Sequence, residues 1–475
     1  MRAITPVLCA VILGLCVGTA GADPPVNNAA SSTTTSSNNG VTPNNGAANS
    51  SAPSTGNAGA AANSFTRAFG RWSSTYPWMD PGNWPPDLQW LNPNSWPFTL
   101  IPIPIVVTDP NAGTTYGIMP VFLFNDENHH IRNIFAPDVN DNTDLGAGAT
   151  FRFLSYPSAD TQWYVISSIS QTIARRVDLH YATGRTRKKW WSFEGRFFFE
   201  RDPTERFFGI GNGSRESQET NYTTEQVYGD AKLGLNLSDD FQIALEEKPR
   251  YVRISNGALT NTLPFIGTVF PTVKGLDGGS EVMNRLIASY DTRDSVDIPT
   301  SGGLALLYAG VVDRRFGSSV SYTQFGGELR QYIPIGQRVI LAGHLYAQYT
   351  PAGNETPFWS MARLGGEESI LASQETLRGY GVGRFTDNNL SVANLEVRTR
   401  VYETTLFDTH GILELAPFID TGRVSHTANE SPVEQLHSVG GMGIRAIADP
   451  FVVGFIDIGA GGEGASVFTG IDYPF

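Results

Sequence analysis

Cysteine is nearly missing from this chain. Cys9 and Cys16 are the only two, so nothing after residue 16 can build a disulfide scaffold, a zinc–thiolate site or a cysteine nucleophile. Long apolar runs are missing as well. After residue 22 no stretch could cross a membrane as a helix. Basic charge is in deficit, with 33 Lys and Arg against 46 Asp and Glu, and no basic stripe marks a nucleic-acid surface. There is no Gly-x-Ser-x-Gly nucleophile elbow, and no glycine loop opens a helix to cradle phosphate. The seven histidines (His129, His130, His180, His344, His410, His426 and His437) include no pair at helical metal-binding spacing. These absences lead us to expect no enzyme, no cofactor and no metal centre.

What is present begins with an export signal. Arg2 supplies a thin positive region, and Pro6 to Val17 form an apolar core too short to span a bilayer. Ala20-Gly21-Ala22 provides the small-residue cleavage pattern, so residues 1–22 read as a cleaved signal peptide and the mature chain is expected to start at Asp23. Leu15 before Cys16 disfavours lipid attachment there. Residues 23–64 are Ser, Thr, Asn, Gly, Ala and Pro, which bury too little surface to offset ordering, so the segment reads as a low-complexity linker. In residues 65–100, Trp72, Trp78, Trp84, Trp90 and Trp96 recur at every sixth position. An extended chain sets all five on one side. Two readings stay open: a periplasmic strip docking at the membrane interface, where Trp is favoured, or a leader with fortuitous spacing.

From residue 101 to 475 the pattern is that of an all-β transmembrane antiparallel barrel. Segments of about ten residues alternate apolar with polar, separated by Gly, Asn, Asp and Pro. The expected strands are 113–124, 146–156, 161–171, 177–184, 189–200, 222–237, 240–254, 282–291, 302–312, 319–333, 338–350, 389–403, 411–422, 436–448, 451–460 and 466–475, about sixteen. If residue 113 starts upward, the connections 125–145, 201–221, 255–281 and 351–388 face outward, and these are the long ones. The opposite set, 157–160, 185–188, 238–239, 334–337 and 449–450, is short, as periplasmic turns are. In 389–403, Leu395, Val397 and Val401 share one face, and Asn394, Glu396, Arg398 and Arg400 the other. Charge against lipid costs several kcal/mol, so the charged face is assigned to the lumen. The last strand alternates too, with Ile471, Tyr473 and Phe475 on one face. This aromatic end looks like the address read by barrel assembly machinery, an expected partner during biogenesis alongside outer-membrane lipid.

Six short motifs recur in order along residues 100–475. They are Phe207-Phe208-Gly209-Ile210-Gly211-Asn212; Asp291-Thr292-Arg293-Asp294 with Pro299 and Gly302; and Leu377-Arg378-Gly379-Tyr380 with Gly383-Arg384-Phe385. Asn394-Leu395-Glu396-Val397-Arg398, Phe418-Ile419-Asp420-Thr421-Gly422 and Gly441-Met442-Gly443-Ile444-Arg445 follow. Together they resemble the BamA/TamA superfamily of outer-membrane assembly factors and two-partner secretion translocators. The resemblance implies that the 351–388 loop folds into the lumen and that Arg378 pairs there with Asp420. Glu396 and Glu414 are reserve partners, Gly379 turns the backbone, and Tyr380 packs on Gly441 and Gly443. A guanidinium in such a place needs a carboxylate of matching fork geometry. For the Asp291–Asp294 cluster, local turn stabilisation is the preferred reading.

One departure stands out. The substrate-receiving POTRA modules of the family have a βααββ pattern, and none can be placed between residue 23 and the barrel. The barrel motifs nonetheless imply insertion or translocation of protein, or of lipid, at the Gram-negative outer membrane, with the substrate-receiving part missing. The contrasting readings are a passive pore or structural surface barrel plugged by the 351–388 loop, and a barrel enzyme acting on lipid. A weak junction between the first and last strands would favour the first reading, and full pairing there the second.

Overall fold

A computed structural model of the chain describes residues 98–475 except 110–112, 127–130, 260–261, 352–354, 367–375, 407–408, 449–451, 472 and 474. The expected signal peptide, the expected linker and the five tryptophans lie outside the described residues, as does the pair His129-His130.

The strands are β1 (Thr99–Asp109), β2 (Gly113–Asn125), β3 (Ile131–Phe135), β4 (Asp138–Asn142), β5 (Gly146–Ser158), β6 (Thr161–Ser170) and β7 (Arg175–Thr183). They continue with β8 (Trp191–Phe207), β9 (Thr220–Asn236), β10 (Phe241–Asn256), β11 (Gly279–Asp291), β12 (Gly302–Val312), β13 (Tyr322–Ile335) and β14 (Val339–Tyr349). After the short pair β15 (Ala362–Leu364) and β16 (Phe385–Asp387) come β17 (Asn389–Leu406), β18 (Thr409–Ser425), β19 (His437–Ala448), β20 (Val452–Gly461) and β21 (Gly464–Ile471). Nineteen of them form one antiparallel sheet in which neighbours in sequence pair and β1 meets β21. β3 and β4 lie end to end between β2 and β5, so nineteen strands make eighteen staves.

The fold is the all-β barrel expected, with two more staves than sixteen. Both extra staves carry prolines or polar residues that hid them. β1 contains Pro102 and Pro104, and the β3–β4 stave runs through Asn133, Pro137, Asp138, Asn140, Asp141 and Asn142. The 125–145 stretch is therefore mostly wall, not an outer loop. Its break has a simple cause. The register that pairs Ile118 with Val139 and Phe122 with Phe135 would set Pro120 opposite Pro137. Neither can donate, so the ladder lapses there.

Adding two staves reverses the direction of 113–124 but leaves every strand from residue 146 onward as expected. The connections 208–219, 257–278 and 350–388 remain at one end, and the short turns 159–160, 237–240 and 336–338 at the other. By that asymmetry the long loops are extracellular and the short turns periplasmic.

The two faces of the wall differ as a bilayer requires. Large apolar side chains point outward and bare, among them Leu307 at 68 % and Leu233 at 62 % exposure. In water such a band would drive aggregation, whereas hydrocarbon accepts it. Inward positions carry ion pairs, as where Arg196 forks onto Asp178 with both bonds under 3 Å.

Candidate functional site

The 350–388 connection turns back into the barrel. Its β15 and β16 pair with each other, and Leu364, Leu377, Tyr380 and Phe385 pack with Leu390, Val392, Phe418, Val424 and Val439 of the wall. This apolar seat lets a polar centre form beneath it without open water.

Arg378 occupies that centre and is fully buried. Its Nε and Nη2 each donate to Asp420 on β18 at 2.8 Å, a two-pronged pair, and its backbone N–H adds a third bond to Asp420 at 3.1 Å. Nη1 lies 2.6 Å from both Glu396 on β17 and Asp457 on β20. Glu396 also accepts from Arg398 and Arg445, each at 2.8 Å. Three buried guanidiniums thus face three buried carboxylates, and the charges cancel. The Arg378 guanidinium also stacks over Phe418 at 3.5 Å. Asn394 ties the cluster to the loop, donating to Asp420 at 2.9 Å and to the Thr376 carbonyl at 3.1 Å.

Two further arginines moor the loop. Arg363 reaches Glu205 on β8 at 2.8 Å. Arg384 pairs with Glu463 at 2.7 Å and donates to the Ser214 hydroxyl and carbonyl, each at 2.9 Å. The Phe207–Asn212 motif clasps the same region. The Gly211 amide donates to Thr386, and the Asn212 side chain bridges Val424 and Gln435.

The structure thus brings Arg378, Asp420 and Glu396 into direct contact. Glu414 is buried nearby but bonds the Tyr473 hydroxyl at 3.4 Å, among the described contacts, and not Arg378. Asp457 and Arg445, which sequence reasoning did not place in the cluster, belong to it. Alternation of Phe455, Asp457 and Gly459 along β20 marks the inner face and could have signalled Asp457. Tyr380 does not rest on Gly441 and Gly443. Its hydroxyl accepts from the Gly462 amide at 3.1 Å, and its ring covers Gly461. The ring of Phe418 fills the space over Gly441, while Asp457 and Arg445 fill that over Gly443. Gly379 serves close approach rather than an unusual turn, since a Cβ there would sit 2.8 Å from Val439. The Asp291–Asp294 cluster is a turn clasp: Arg293 forks onto Asp291, and Asp294 accepts from the amides of Ser295, Thr300 and Ser301.

The last strand ends at Ile471, short of the expected 475. Tyr473 and Phe475 are buried at the periplasmic end of the lumen. Tyr473 lies among Ile298, Ile412, Ile447 and Val453, and Phe475 among Tyr332, Ile340 and Ala342. Arg398 stacks over Tyr473 at 3.9 Å, and His344 stacks on Phe475 at 5.2 Å. On the other side of the junction, β1 pairs with β2 from Thr99 to Asp109. Among the described residues its ladder to β21 is limited to Thr108 opposite Val467.

The family model described as the Omp85 superfamily domain matches residues 161–448. Among solved structures, the chain is similar to BamA from Haemophilus ducreyi lacking POTRA domains 1–3, at 14 % identity and a TM-score of 0.46, covering 78 % of this chain and 74 % of that one. It is similar also to CdiB from Escherichia coli, at 12 % identity and a TM-score of 0.42, covering 79 % of this chain and 62 % of that one. The chain therefore spans less than two thirds of that CdiB. No curated protein matches. The family match takes in well over half of the sequence, and the chain belongs to the Omp85 superfamily of outer-membrane β-barrels.

Proposed function

We propose that this barrel inserts or translocates protein at the outer membrane, with lipid as the alternative cargo, by parting its wall between β1 and β21. The observation that carries the reading is the disparity in pairing at β1, which is zipped to β2 along its whole length and, among the described residues, to β21 at Thr108 alone. Every backbone group facing hydrocarbon must be satisfied, so an unzipped edge is either unstable or used. An exposed edge is a template for another strand. Arg378 and its carboxylates hold the loop as a seal, so that parting the wall does not open a free pore. The role is binding and guidance, without catalysis, and the partners are outer-membrane lipid, a protein substrate and, during its own biogenesis, the barrel assembly machinery.

A passive pore plugged by the loop is the second reading, favoured by the complete burial of Arg378 inside the lumen. A photo-crosslinking residue at Val106, on the seam side of β1, separates the two. Val106 should capture envelope proteins in growing cells, while the same probe at Leu307 on the far wall should capture only lipid. Equal yields at both positions would overturn the seam reading.

A further inference from the structure

The direction of each backbone group along β1 follows from the turns. The Thr143 amide donates to the Thr114 carbonyl at 3.0 Å, so the even-numbered residues of β2 point their backbone groups at β4. In an antiparallel ladder such residues sit in non-hydrogen-bonded pairs on their other side. Thr108 opposite Thr114, Pro104 opposite Ile118 and Pro102 opposite Pro120 are therefore non-hydrogen-bonded pairs between β1 and β2. The same residues of β1 turn their backbone groups toward the seam. Two of them are prolines, which have no N–H to give.

With Thr108 opposite Val467, an unbroken ladder would set Ile471 opposite Pro104 and Tyr473 opposite Pro102. Each is a hydrogen-bonded position, and at each the carbonyl of Ile471 or Tyr473 would find no donor. Inside a bilayer that loss is severe. The observed chain leaves the wall at this point. β21 ends at Ile471, and Tyr473 and Phe475 enter the lumenal cradle of Tyr332, Ile340, Ala342, His344 and Arg398.

We infer that Pro102 and Pro104 are the residues that hold the seam apart: they remove the donors β21 would need and divert Tyr473 and Phe475 into the lumen. The closed part of the seam is thereby confined to its extracellular end at Thr108, and the periplasmic half of the β1 edge stays unzipped. The inference deepens the seam reading and rests on it for its meaning in function. The two donors are missing whether or not the seam carries cargo.

The test is disulfide trapping on the purified, folded barrel, with gel mobility before heating as the check on folding. The pair Ile103→Cys and Asp472→Cys would lie directly opposite in an extended ladder, within disulfide reach. With both prolines present it should cross-link only in trace. Replacing Pro102 and Pro104 with Val restores two donors on a residue suited to strands, and should raise the cross-linked fraction about tenfold or more. Pro120→Val restores a donor that faces β3 and β4, and should leave the yield unchanged. The pair Thr108→Cys and Val467→Cys should cross-link in every background. Strong cross-linking at 103 and 472 with the prolines in place would overturn the inference. So would a folded double-valine variant that still fails to cross-link there while 108 and 467 do. Neither outcome depends on activity, so a failure here is distinguishable from a failure of the proposed function.

Discussion

Arg378 shows why a single residue can govern a long loop. A buried guanidinium without partners costs several kcal/mol, and this one is matched by Asp420, Glu396 and Asp457 together. Removing either member of its two-pronged pair leaves a charge stranded. Arg378→Ala and Asp420→Ala should each destabilise the seated loop by about 3–5 kcal/mol. Since both act on one contact, the double variant should be no worse than the more damaging single, measured as protease susceptibility of 351–388 or as the temperature of the gel-mobility transition. Additive losses would show that the two side chains work separately. Arg378, Asp420 and Glu396 were legible in the sequence because alternation assigns a face and the motifs assign an order. Alternation puts Asp457 on the inner face and a motif contains Arg445, but neither tells that they stand at the level of Arg378, because alternation says nothing about height along the barrel. Which inner residues share a level is set only when the staves close into a ring.

At the scale of elements, the strands with clean alternation were legible and the ones carrying proline were not. β1 has Pro102 and Pro104 turned toward the seam, and the β3–β4 stave lapses where Pro120 and Pro137 would meet. Both tolerate proline because a lost donor there faces a lapse or an edge and not a continuous ladder. A sequence pattern treats proline as a breaker and has no means of knowing which side of a strand its nitrogen faces. The 350–388 loop illustrates a second limit. Its inward fold was implied by the motif around Arg378, but the moorings at Arg363 and Arg384 join it to β8 and to residues 214 and 463, far apart in sequence. Arg384→Ala should loosen the extracellular end of the loop while the Arg378 cluster stays seated. Charge-assisted hydrogen bonds are worth about 1.5–3 kcal/mol each. The expected readout is faster cleavage of the loop by added protease in intact cells, with barrel mobility on gels unchanged. A variant that also loses the folded-barrel mobility would show that Arg384 supports the wall itself.

Among the described residues, the wall is continuously paired except at the β3–β4 lapse and along the β1–β21 junction. Its eighteen staves bury their backbone groups in one another, and its apolar side chains face outward, so the folded barrel should resist detergent. It should run faster on gels unheated than boiled, and it should stay with the membrane through high-salt washing. Recovery as a soluble protein would contradict the architecture. If the molecule works at the sparsely paired junction between β1 and β21, locking that junction must stop it. Complementation by a seam-locked barrel decides this. With Thr108→Cys and Val467→Cys introduced, no cysteine after Cys16 competes, and oxidation joins the strands where they already meet. The oxidised protein should fold and reach the outer membrane but fail to relieve the envelope or growth defect of a deletion strain, and reduction should restore it. Full complementation by the oxidised, folded protein would rule out the seam and leave the loop-plugged pore in its place.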